Sequence, residues 1–173
     1  MKKYLEKVKN EDLRFYAKES SILFNSKGNN FVFSNMYPCR LNYEGIEFQS
    51  VEQLFYWMLY SNNSEIKKKI LKCRGICNGF QVKKLCSENF DKIDNDYEVK
   101  KYKCLYKCLE IKYTQCYEFR KVIDESWGKD LVEEAPWDSE YGAMWFNEYN
   151  FYVGKNACGR LMMAVREKLS KAS

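Results

Sequence analysis

Gln49-Ser50-Val51-Glu52-Gln53-Leu54-Phe55-Tyr56-Trp57-Met58-Leu59-Tyr60 is the stretch that decides the fold. Ser50 suits the N-cap position and Gln53 occupies the capping-box position three residues later, which predicts a helix that runs to about Tyr60. Glu52 falls in the first turn, where a carboxylate either complements the helix dipole or acts as a base in a pocket. The apolar residues recur at helical spacing and predict one buried face, made of Val51, Leu54, Phe55, Met58 and Leu59.

Helical spacing recurs further along the chain and predicts helices at 64–72, 76–87 and 97–113. The buried face of the 97–113 helix is predicted to consist of Val99, Tyr102, Leu105 or Tyr106, Leu109 and Tyr113. A final helix is predicted from Ala157 to Leu169, with Asn156 as its N-cap. Its inward residues are predicted to be Leu161, Ala164, Val165 and Leu169. Before the first helix, β-branched and aromatic residues between turn signals predict short strands or extended loops at 13–17, 21–25, 31–34 and 39–48.

The length and composition favour one domain. A chain of 173 residues with 46% hydrophobic and 17% aromatic residues can bury a substantial core. No apolar run approaches the ~20 residues that cross a bilayer, and the N-terminus lacks the apolar segment of a signal peptide. We therefore expect a single domain over residues 1–173 that is soluble and cytoplasmic and does not enter a membrane.

The chain contains no histidine, which excludes Ser-His and Cys-His catalysis and histidine-ligated zinc. Proton transfer would then fall to carboxylates, lysines or tyrosines. The eight cysteines are best interpreted as free thiols, because a chain this long and apolar does not need disulfides. Two pairs spaced four apart, Cys73 with Cys77 and Cys104 with Cys108, could form a four-thiolate metal site, although small buried cysteines are the more common case.

The net charge of +5 is unevenly distributed along the chain. Residues 64–112 contain twelve lysines and one arginine against seven acids, whereas residues 124–148 are strongly acidic. A basic segment could contact nucleic acid or phosphate. The spacing of its lysines is more typical of a solvated helix surface.

Polar residues in three other segments, around 34–37, 138 and 154–160, are candidates for a binding site. Ser34, Asn35 and Tyr37 place hydroxyl and amide groups in an aromatic loop, where they could orient a sugar. Asp138 is a second candidate acid beside Trp137, although an aspartate after a proline is also common in ordinary turns.

The residues Gly154-Lys155-Asn156 lead into the last helix. The amides at a helix N-terminus favour phosphate, and Lys155 and Arg160 could add positive charge.

Four blocks together resemble the NADAR (YbiA-like) family. They are F-S-N-M-Y-P at 33–38, Y-E-G-I-E-F-Q-S-V-E-Q at 43–53, D-L-V-E-E-A-P-W-D-S-E-Y-G at 130–142 and N-A-C-G-R-L-M-M-A-V-R at 156–166. They occur in family order within a resemblance that covers about residues 20–169. The resemblance implies a compact domain, mainly α with a few short β-strands, in the α+β class. It also implies cleavage of N-glycosidic bonds at a ribose carbon.

The resemblance assigns candidate roles to individual residues. The family glutamate corresponds to Glu52, its acid in the D-x-x-W-G block to Asp138, and its asparagine before the last helix to Asn156. Tyr141, just before Gly142 of the same block, replaces the family tryptophan. Two other positions depart from the family: the lysine seven residues after the glutamate is Leu59, and Phe90 stands for a tryptophan. The short A-K-x-L-G-R block of the family is not recognisable around 82–85.

The resemblance leads to a first hypothesis, an N-glycosidase that acts on an ADP-ribosyl or ribosyl-phosphate substrate without a metal or cofactor. Glu52 and Asp138 are its predicted catalytic residues. The predicted substrate-binding residues are Ser34, Asn35, Tyr37, Phe90, Trp137, Tyr141, Gly142, Lys155, Asn156 and Arg160. The substrate is either ADP-ribosylated guanine in nucleic acid or a ribosylamino-pyrimidine phosphate of riboflavin synthesis.

Two alternatives come from other functional classes. A binding protein for ADP-ribose or a related nucleotide, without turnover, is suggested by Leu59 in place of the family lysine. A nucleic-acid-binding protein is suggested by the lysine-rich middle segment.

Overall fold

A computed structural model of the chain describes residues 12–28 and 30–170. Within these residues seven strands form: β1 (Arg14–Tyr16), β2 (Ser21–Phe24), β3 (Leu41–Tyr43), β4 (Ile46–Phe48), β5 (Asp130–Glu133), β6 (Met144–Phe146) and β7 (Phe151–Gly154). The same residues form six α-helices: α1 (Val51–Leu59), α2 (Ser64–Lys72), α3 (Asn78–Ser87), α4 (Tyr97–Gln115), α5 (Tyr117–Glu125) and α6 (Ala157–Leu169). The predicted α+β class, mainly helical with short strands, is confirmed.

The chain divides into two compact units. The first contains the described residues up to Ser34 and those from Lys121 onward, and the second is Asn35–Arg120. The expectation of a single domain stays a prediction.

The first unit is built from two small sheets and helix α6. Strands β1, β7 and β6 form an antiparallel sheet in that order, and β2 pairs in parallel with β5. A cluster of buried residues joins the sheets and consists of Tyr16, Val132, Ala143 and Tyr152, with Leu23 and Trp145 packed against it. Helix α6 packs against β5.

The second unit is mostly helical and begins with a hairpin of β3 and β4. Glu44 and Gly45 form its two-residue turn, and both have positive φ angles, as the favoured hairpin turns require. Helix α1 packs against α2, α3 and α4, and its residues Leu54 and Leu59 are fully buried. The Lys67 ammonium of α2 lies 3.4 Å from the ring centroid of the buried Trp57 of α1.

The helix predictions are largely confirmed. Helices α1, α2 and α6 have the predicted bounds within a residue or so, and α3 and α4 differ by about two residues at one end. The helix α5 and the strands β5, β6 and β7 were not predicted. The prediction of a strand or extended loop at 31–34 was wrong, since Phe31–Phe33 forms a turn of 3₁₀-helix. Asn30, with a φ angle of 61°, directly precedes this turn.

The predicted buried faces need corrections in three helices. In α1, Met58 is half-buried, and in α4 so is Tyr102. Val99 is exposed, because the inner face of α4 begins at Lys101 and continues through Leu105, Cys108 and Leu109. In α6, Val165 is buried as predicted, but Leu161, Ala164 and Leu169 are half-buried and Met162 takes a core position instead.

None of the helices within residues 12–28 and 30–170 is both long enough and apolar enough to span a membrane.

Candidate functional site

Three polar residues around the start of α1 form a buried hydrogen-bond network in the second unit. The Ser50 hydroxyl accepts a bond from the Gln53 amide (3.2 Å), so the predicted N-cap is confirmed. The Gln53 side chain accepts a hydrogen bond from the backbone amide of Gln49 (2.8 Å). It therefore does not bond the backbone amide of Ser50, as the predicted capping box requires. It also donates to the carbonyls of Ile70 and Cys73 at 2.9 and 3.0 Å. The start of α1 is therefore fixed to the end of α2.

Glu52 is buried in the first turn of α1, with 8% of its surface exposed. Its amide donates to the Asn35 carbonyl at 2.9 Å, which fixes the loop of the F-S-N-M-Y-P block to the start of the helix. A charge complementing the helix dipole needs no burial, since such acids normally lie at the surface. Burial of the carboxylate favours the second of the two interpretations, a group held for chemistry.

The neighbours of Glu52 in the second unit include tyrosine and cysteine side chains. Burial, and then the negative charge of Glu52, raises the pKa of the Tyr56 phenol. The same two causes, in the same order, raise the pKa of the Cys86 thiol to about 12. Tyr56 and Cys86 therefore stay protonated near neutral pH and can donate hydrogen bonds, and they add no negative charge beside Glu52.

Asn35 and Tyr37 lie in the loop that precedes β3, and both are half-buried. The Lys112 ammonium is 5.5 Å from the ring centroid of Tyr37. Helix α3 approaches this loop closely, because a Cβ atom on Gly79 would lie 3.0 Å from the Cα of Met36. The loop is therefore held by packing and by the hydrogen bond to Glu52. Ser34 belongs to the first unit, where it is buried and its amide donates to the Phe31 carbonyl.

Phe90 lies in a short 3₁₀-helix and is 52% exposed. It packs edge-to-face with Tyr97, at 5.5 Å between centroids. Beside Tyr97, the buried Lys101 ammonium lies 5.3 Å from the ring centroid and 2.6 Å from the Glu98 carboxylate.

The sequence reasoning missed several of these neighbours. Tyr56 could have been found, because it is one turn after Glu52 on the same helical face. Lys101 and Lys112 were assigned to a solvated helix surface, yet both are buried on the inner face of α4. Other lysines of the segment do lie at the surface with acidic partners, as in the pair Lys69–Glu65 at 2.7 Å.

In the first unit, the backbone brings two of the predicted blocks together. Four successive carbonyls, of Ser139, Glu140, Tyr141 and Gly142, accept hydrogen bonds from the amides of Lys155, Ala157, Cys158 and Asn156, at 2.8–3.1 Å. The predicted phosphate contact of the amides at the start of α6 is therefore wrong, since the amides of Asn156, Ala157 and Cys158 are already hydrogen bonded.

Asp138 is half-buried and forms an Asx turn. Its Oδ1 accepts from the amides of Glu140 (3.1 Å) and Tyr141 (3.0 Å). This is the ordinary turn role that the sequence left open for Asp138. Both hydrogen bonds of the turn go to the same carboxylate oxygen. Trp137 next to it is 77% exposed, and Tyr141 is half-buried.

Asn156 is fully buried, in a left-handed conformation with φ of 49°. Its side chain donates to the Leu131 carbonyl (2.8 Å) and accepts from the Glu133 amide (3.1 Å). The N-cap prediction is correct in position but wrong in mechanism, because this side chain makes no cap bond to α6. Binding to β5 explains this asparagine without a ligand, and its contact with substrate stays a prediction.

The remaining predicted residues of the first unit have local partners or packing roles. The Lys155 ammonium lies 3.2 Å from the Asp12 carboxylate, and Arg160 is half-buried. Gly142 is buried where a Cβ atom would lie 2.5 Å from the Cβ of Ala135, so close packing explains the glycine.

A cavity of about 720 Å³ in the first unit was not predicted. It is lined by Ser21, Ile22, Leu23, Asn25, Asn30, Phe33, Val122, Glu125 and Glu134. None of the predicted site residues lines it. One of its two lining carboxylates, Glu134, accepts hydrogen bonds from Tyr152 (2.7 Å) and Asn25 (3.3 Å), so this polar group already has structural partners.

All eight cysteines lie in the described part of the chain, and none is in a disulfide. Across residues 12–28 and 30–170, no three cysteine, aspartate or glutamate side chains cluster so as to hold a metal ion. The four-thiolate site that the cysteine spacing left open therefore has no support.

Comparison with known proteins gives a family and a fold. The chain matches the family model of the NADAR domain over residues 15–170. No curated protein matches it. Among solved structures, it is similar to the NMR structure of the Escherichia coli protein YbiA, with a TM-score of 0.69 and 18% sequence identity over 91% of this chain and 92% of that chain. At this identity the likeness shows the fold alone.

Proposed function

Because the chain belongs to the NADAR domain family, we propose that it is an N-glycosidase that hydrolyses the bond between a ribose carbon and a base. The substrate class is an ADP-ribosyl or ribosyl-phosphate compound. The favoured substrate is ADP-ribosylated guanine in nucleic acid, from which the enzyme would release ADP-ribose. The second substrate is a ribosylamino-pyrimidine phosphate of riboflavin synthesis.

The observation that carries the proposal is the burial of Glu52. Glu52 lies in the motif that starts α1, and it is a carboxylate residue with 8% of its surface exposed. Burying a charge is costly, so a carboxylate kept at such a position is a candidate for chemistry.

The chemistry suits a carboxylate. Cleavage of an N-glycosidic bond develops positive charge on the anomeric carbon, and a negative group stabilises that charge. The same carboxylate can take a proton from the attacking water. We assign both roles to Glu52. The neutral phenol of Tyr56 is a candidate hydrogen-bond donor beside it.

The other predicted residues divide into three roles. Asp138 is assigned to the ribose hydroxyls or to the leaving group. Phe90, Trp137 and Tyr141 are assigned to stacking on the base. The exposure of Phe90 and Trp137 supports this role. Lys155 and Arg160 are assigned to phosphate, through their side chains rather than through backbone amides.

The test compares three substrates and two variants. Purified protein is incubated with ADP-ribosylated guanine DNA, with free NAD and with a ribosylamino-uracil phosphate, and release of the base is followed by chromatography. Glu52→Gln should reduce the rate of release by about 100-fold or more. Glu47→Gln makes the same chemical change at an exposed position of β4 and should leave the rate unchanged. The proposal is wrong if none of the three substrates is cleaved at neutral pH, with or without added metal.

A second candidate function is binding of ADP-ribose or a related nucleotide without turnover. The observation that favours it is Leu59, which is fully buried where the family resemblance leads us to expect a lysine. The end of α1 therefore carries no charge at that position. Calorimetry with ADP-ribose discriminates between the candidates: binding without hydrolysis supports this function, and absence of binding removes it.

A further inference from the structure

The cavity of about 720 Å³ in the first unit is lined by residues of β2, of the segment that follows β2, of α5 and of the end of β5. Its volume lies within the range of sites for small organic molecules. Four lining side chains offer an apolar surface to the carbon atoms of such a molecule: Ile22, Leu23, Phe33 and Val122. Phe33 is buried and packs against Phe24, at 5.6 Å between ring centroids, so this surface is continuous with packed aromatic rings.

Glu134 is a half-buried carboxylate of this cavity, and two hydrogen bonds fix its position. Its Oε1 accepts from the Tyr152 hydroxyl at 2.7 Å, and its Oε2 accepts from the Asn25 side-chain amide at 3.3 Å. Asn25 is fixed in turn, because its own side-chain oxygen accepts from the backbone amides of Lys27 and Gly28 at 2.9 and 2.6 Å. Each oxygen of the Glu134 carboxylate has two lone pairs and can accept a further hydrogen bond.

The two donors leave the negative charge of Glu134 in place, because both are neutral. Burial, followed by the hydrogen bond to Glu134, raises the pKa of the Tyr152 phenol well above its usual value, so Tyr152 keeps its proton. Within residues 12–28 and 30–170, no lysine or arginine lies within 4.0 Å of the Glu134 carboxylate. A charge that is partly removed from water without a counter-ion is unfavourable, and a cationic ligand would supply the missing charge.

The second carboxylate of the cavity, Glu125, has a weak partner. The Lys121 ammonium lies 4.0 Å from it, one turn earlier on α5, and both side chains are more than half exposed. Such surface pairs contribute little to stability, so Glu125 keeps most of its effect on the cavity. The residues that line the cavity include no lysine or arginine, so their formal charge at neutral pH is −2. A cavity of this charge attracts cations and repels phosphate groups.

We propose that this cavity is a binding site for a small organic cation, an alkyl amine or an alkyl guanidine. The ammonium or guanidinium group donates to Glu134, and the hydrocarbon chain packs on Ile22, Leu23 and Val122. A metal ion fits less well, because in the described residues no three cysteine, aspartate or glutamate side chains cluster to hold one, and an apolar surface offers it no ligands. The proposal does not depend on the glycosidase function, whose substrates carry phosphate and are anionic.

The experiment is calorimetric titration of the full chain with two cations and a neutral control. The cations are 1,4-diaminobutane and agmatine, and the control is 1,4-butanediol, which has the carbon chain of the diamine and a hydrogen-bond donor at each end but no charge. The cations should bind with a dissociation constant of about 1 mM or tighter. The diol should bind at least about 10-fold more weakly, because hydrogen bonds to a carboxylate are stronger when the donor is charged. In NMR spectra, the cations should shift the backbone amide signals of residues 21–25, 122–125 and 134.

Variants assign the binding to single carboxylates. Glu134→Gln should weaken the binding of both cations by about 10-fold or more, and Glu125→Gln by a smaller factor. The matched control, Glu148→Gln, makes the same change at an exposed position of the same unit outside the cavity and should leave the affinity unchanged.

Several results would overturn the proposal. They are no binding of either cation, equal binding of the diol, an affinity that Glu134→Gln leaves unchanged, and cation-induced NMR shifts confined to other residues. Shifts of the cavity residues on addition of ADP-ribose would also overturn it, because they would show that the cavity accepts an anion. The spectra of the wild-type protein locate the site even if Glu134→Gln does not fold.

Discussion

Replacement of Gln53 by leucine tests whether the start of α1 is held by hydrogen bonds. Gln53 is fully buried and makes three side-chain bonds, to the Gln49 amide and to the carbonyls of Ile70 and Cys73. Leucine has a similar size and can occupy the same space, but it offers no donor or acceptor. The change therefore removes the bonds while leaving the packing nearly intact.

The magnitude follows from what each partner loses. The Ile70 carbonyl still accepts from the Cys73 amide, and the Cys73 carbonyl still accepts from the Asn78 side chain. Only the backbone amide of Gln49 is left without a partner among the described residues. Three hydrogen bonds at about 1 kcal/mol each give a loss of about 3 kcal/mol. The part-buried Gln49 amide adds a smaller term, because water can reach it in part.

The measurement is equilibrium unfolding in urea, followed by circular dichroism. Gln53→Leu should lower the free energy of unfolding by about 3 kcal/mol with little change in the slope of the transition. The matched control is Gln81→Leu, which makes the same substitution at an exposed position of α3 and should change stability by less than about 0.5 kcal/mol. If Gln53→Leu is as stable as this control, the hydrogen-bond network does not hold the helix start.

Two further predictions concern stability. Burial acts against the charge of Asp94, but hydrogen bonds from Lys100, Ser61 and the Asn62 amide outweigh it and lower the pKa of the carboxyl. The Asp94 carboxylate therefore stabilises the fold above its unfolded pKa of about 4, and this contribution is lost as the pH falls through the folded pKa. Asp94→Asn should cost about 3 kcal/mol at pH 7 and progressively less below pH ~4, and urea unfolding at several pH values would show a constant difference if the interpretation is wrong. Gly159→Ala should lower the melting temperature, because the new Cβ would lie 1.9 Å from the Leu131 carbonyl oxygen. Without that clash, alanine in a helix would stabilise the protein by about 1 kcal/mol, so the sign of the shift in calorimetry decides.

Five of the six helices in the described residues, all except α5, could be predicted from the sequence because their signals are local. Ser50 and the apolar spacing after it fix the start of α1, and Asn63 caps α2 through its bond to the Ile66 amide. The strands β5 and β7 could not be predicted, since they are four residues long and each pairs with a strand more than a hundred residues away in sequence, β5 with β2 and β7 with β1. Such short elements form only where a distant strand supplies their hydrogen bonds.

The candidate site was predictable only in part, because burial is a property of the folded chain. Glu52 was selected by its motif, and its burial makes the carboxylate a candidate for chemistry. The amides at the start of α6 were expected to hold phosphate, but the amides of residues 155–158 donate hydrogen bonds to four carbonyls of the loop at 139–142. No local sequence pattern in that loop predicts which helix will donate hydrogen bonds to its carbonyls. The burial of Lys101 and Lys112 in α4 could not be predicted either, because the lysine-rich composition of their segment is typical of a helix surface.

The motif that starts α1 separates structure from chemistry at the level of single residues. If Gln53 acts only in structure, Gln53→Leu should lower stability and, at a temperature where the variant is folded, leave the rate of glycoside cleavage nearly unchanged. If Glu52 acts only in chemistry, Glu52→Gln should do the reverse, since removal of a buried charge costs the fold little or even stabilises it. The two variants therefore form a crossed comparison of unfolding free energy and reaction rate. A Glu52→Gln variant that loses as much stability as Gln53→Leu would show that the carboxylate holds the helix start, and the functional assignment of Glu52 would then lose its structural basis.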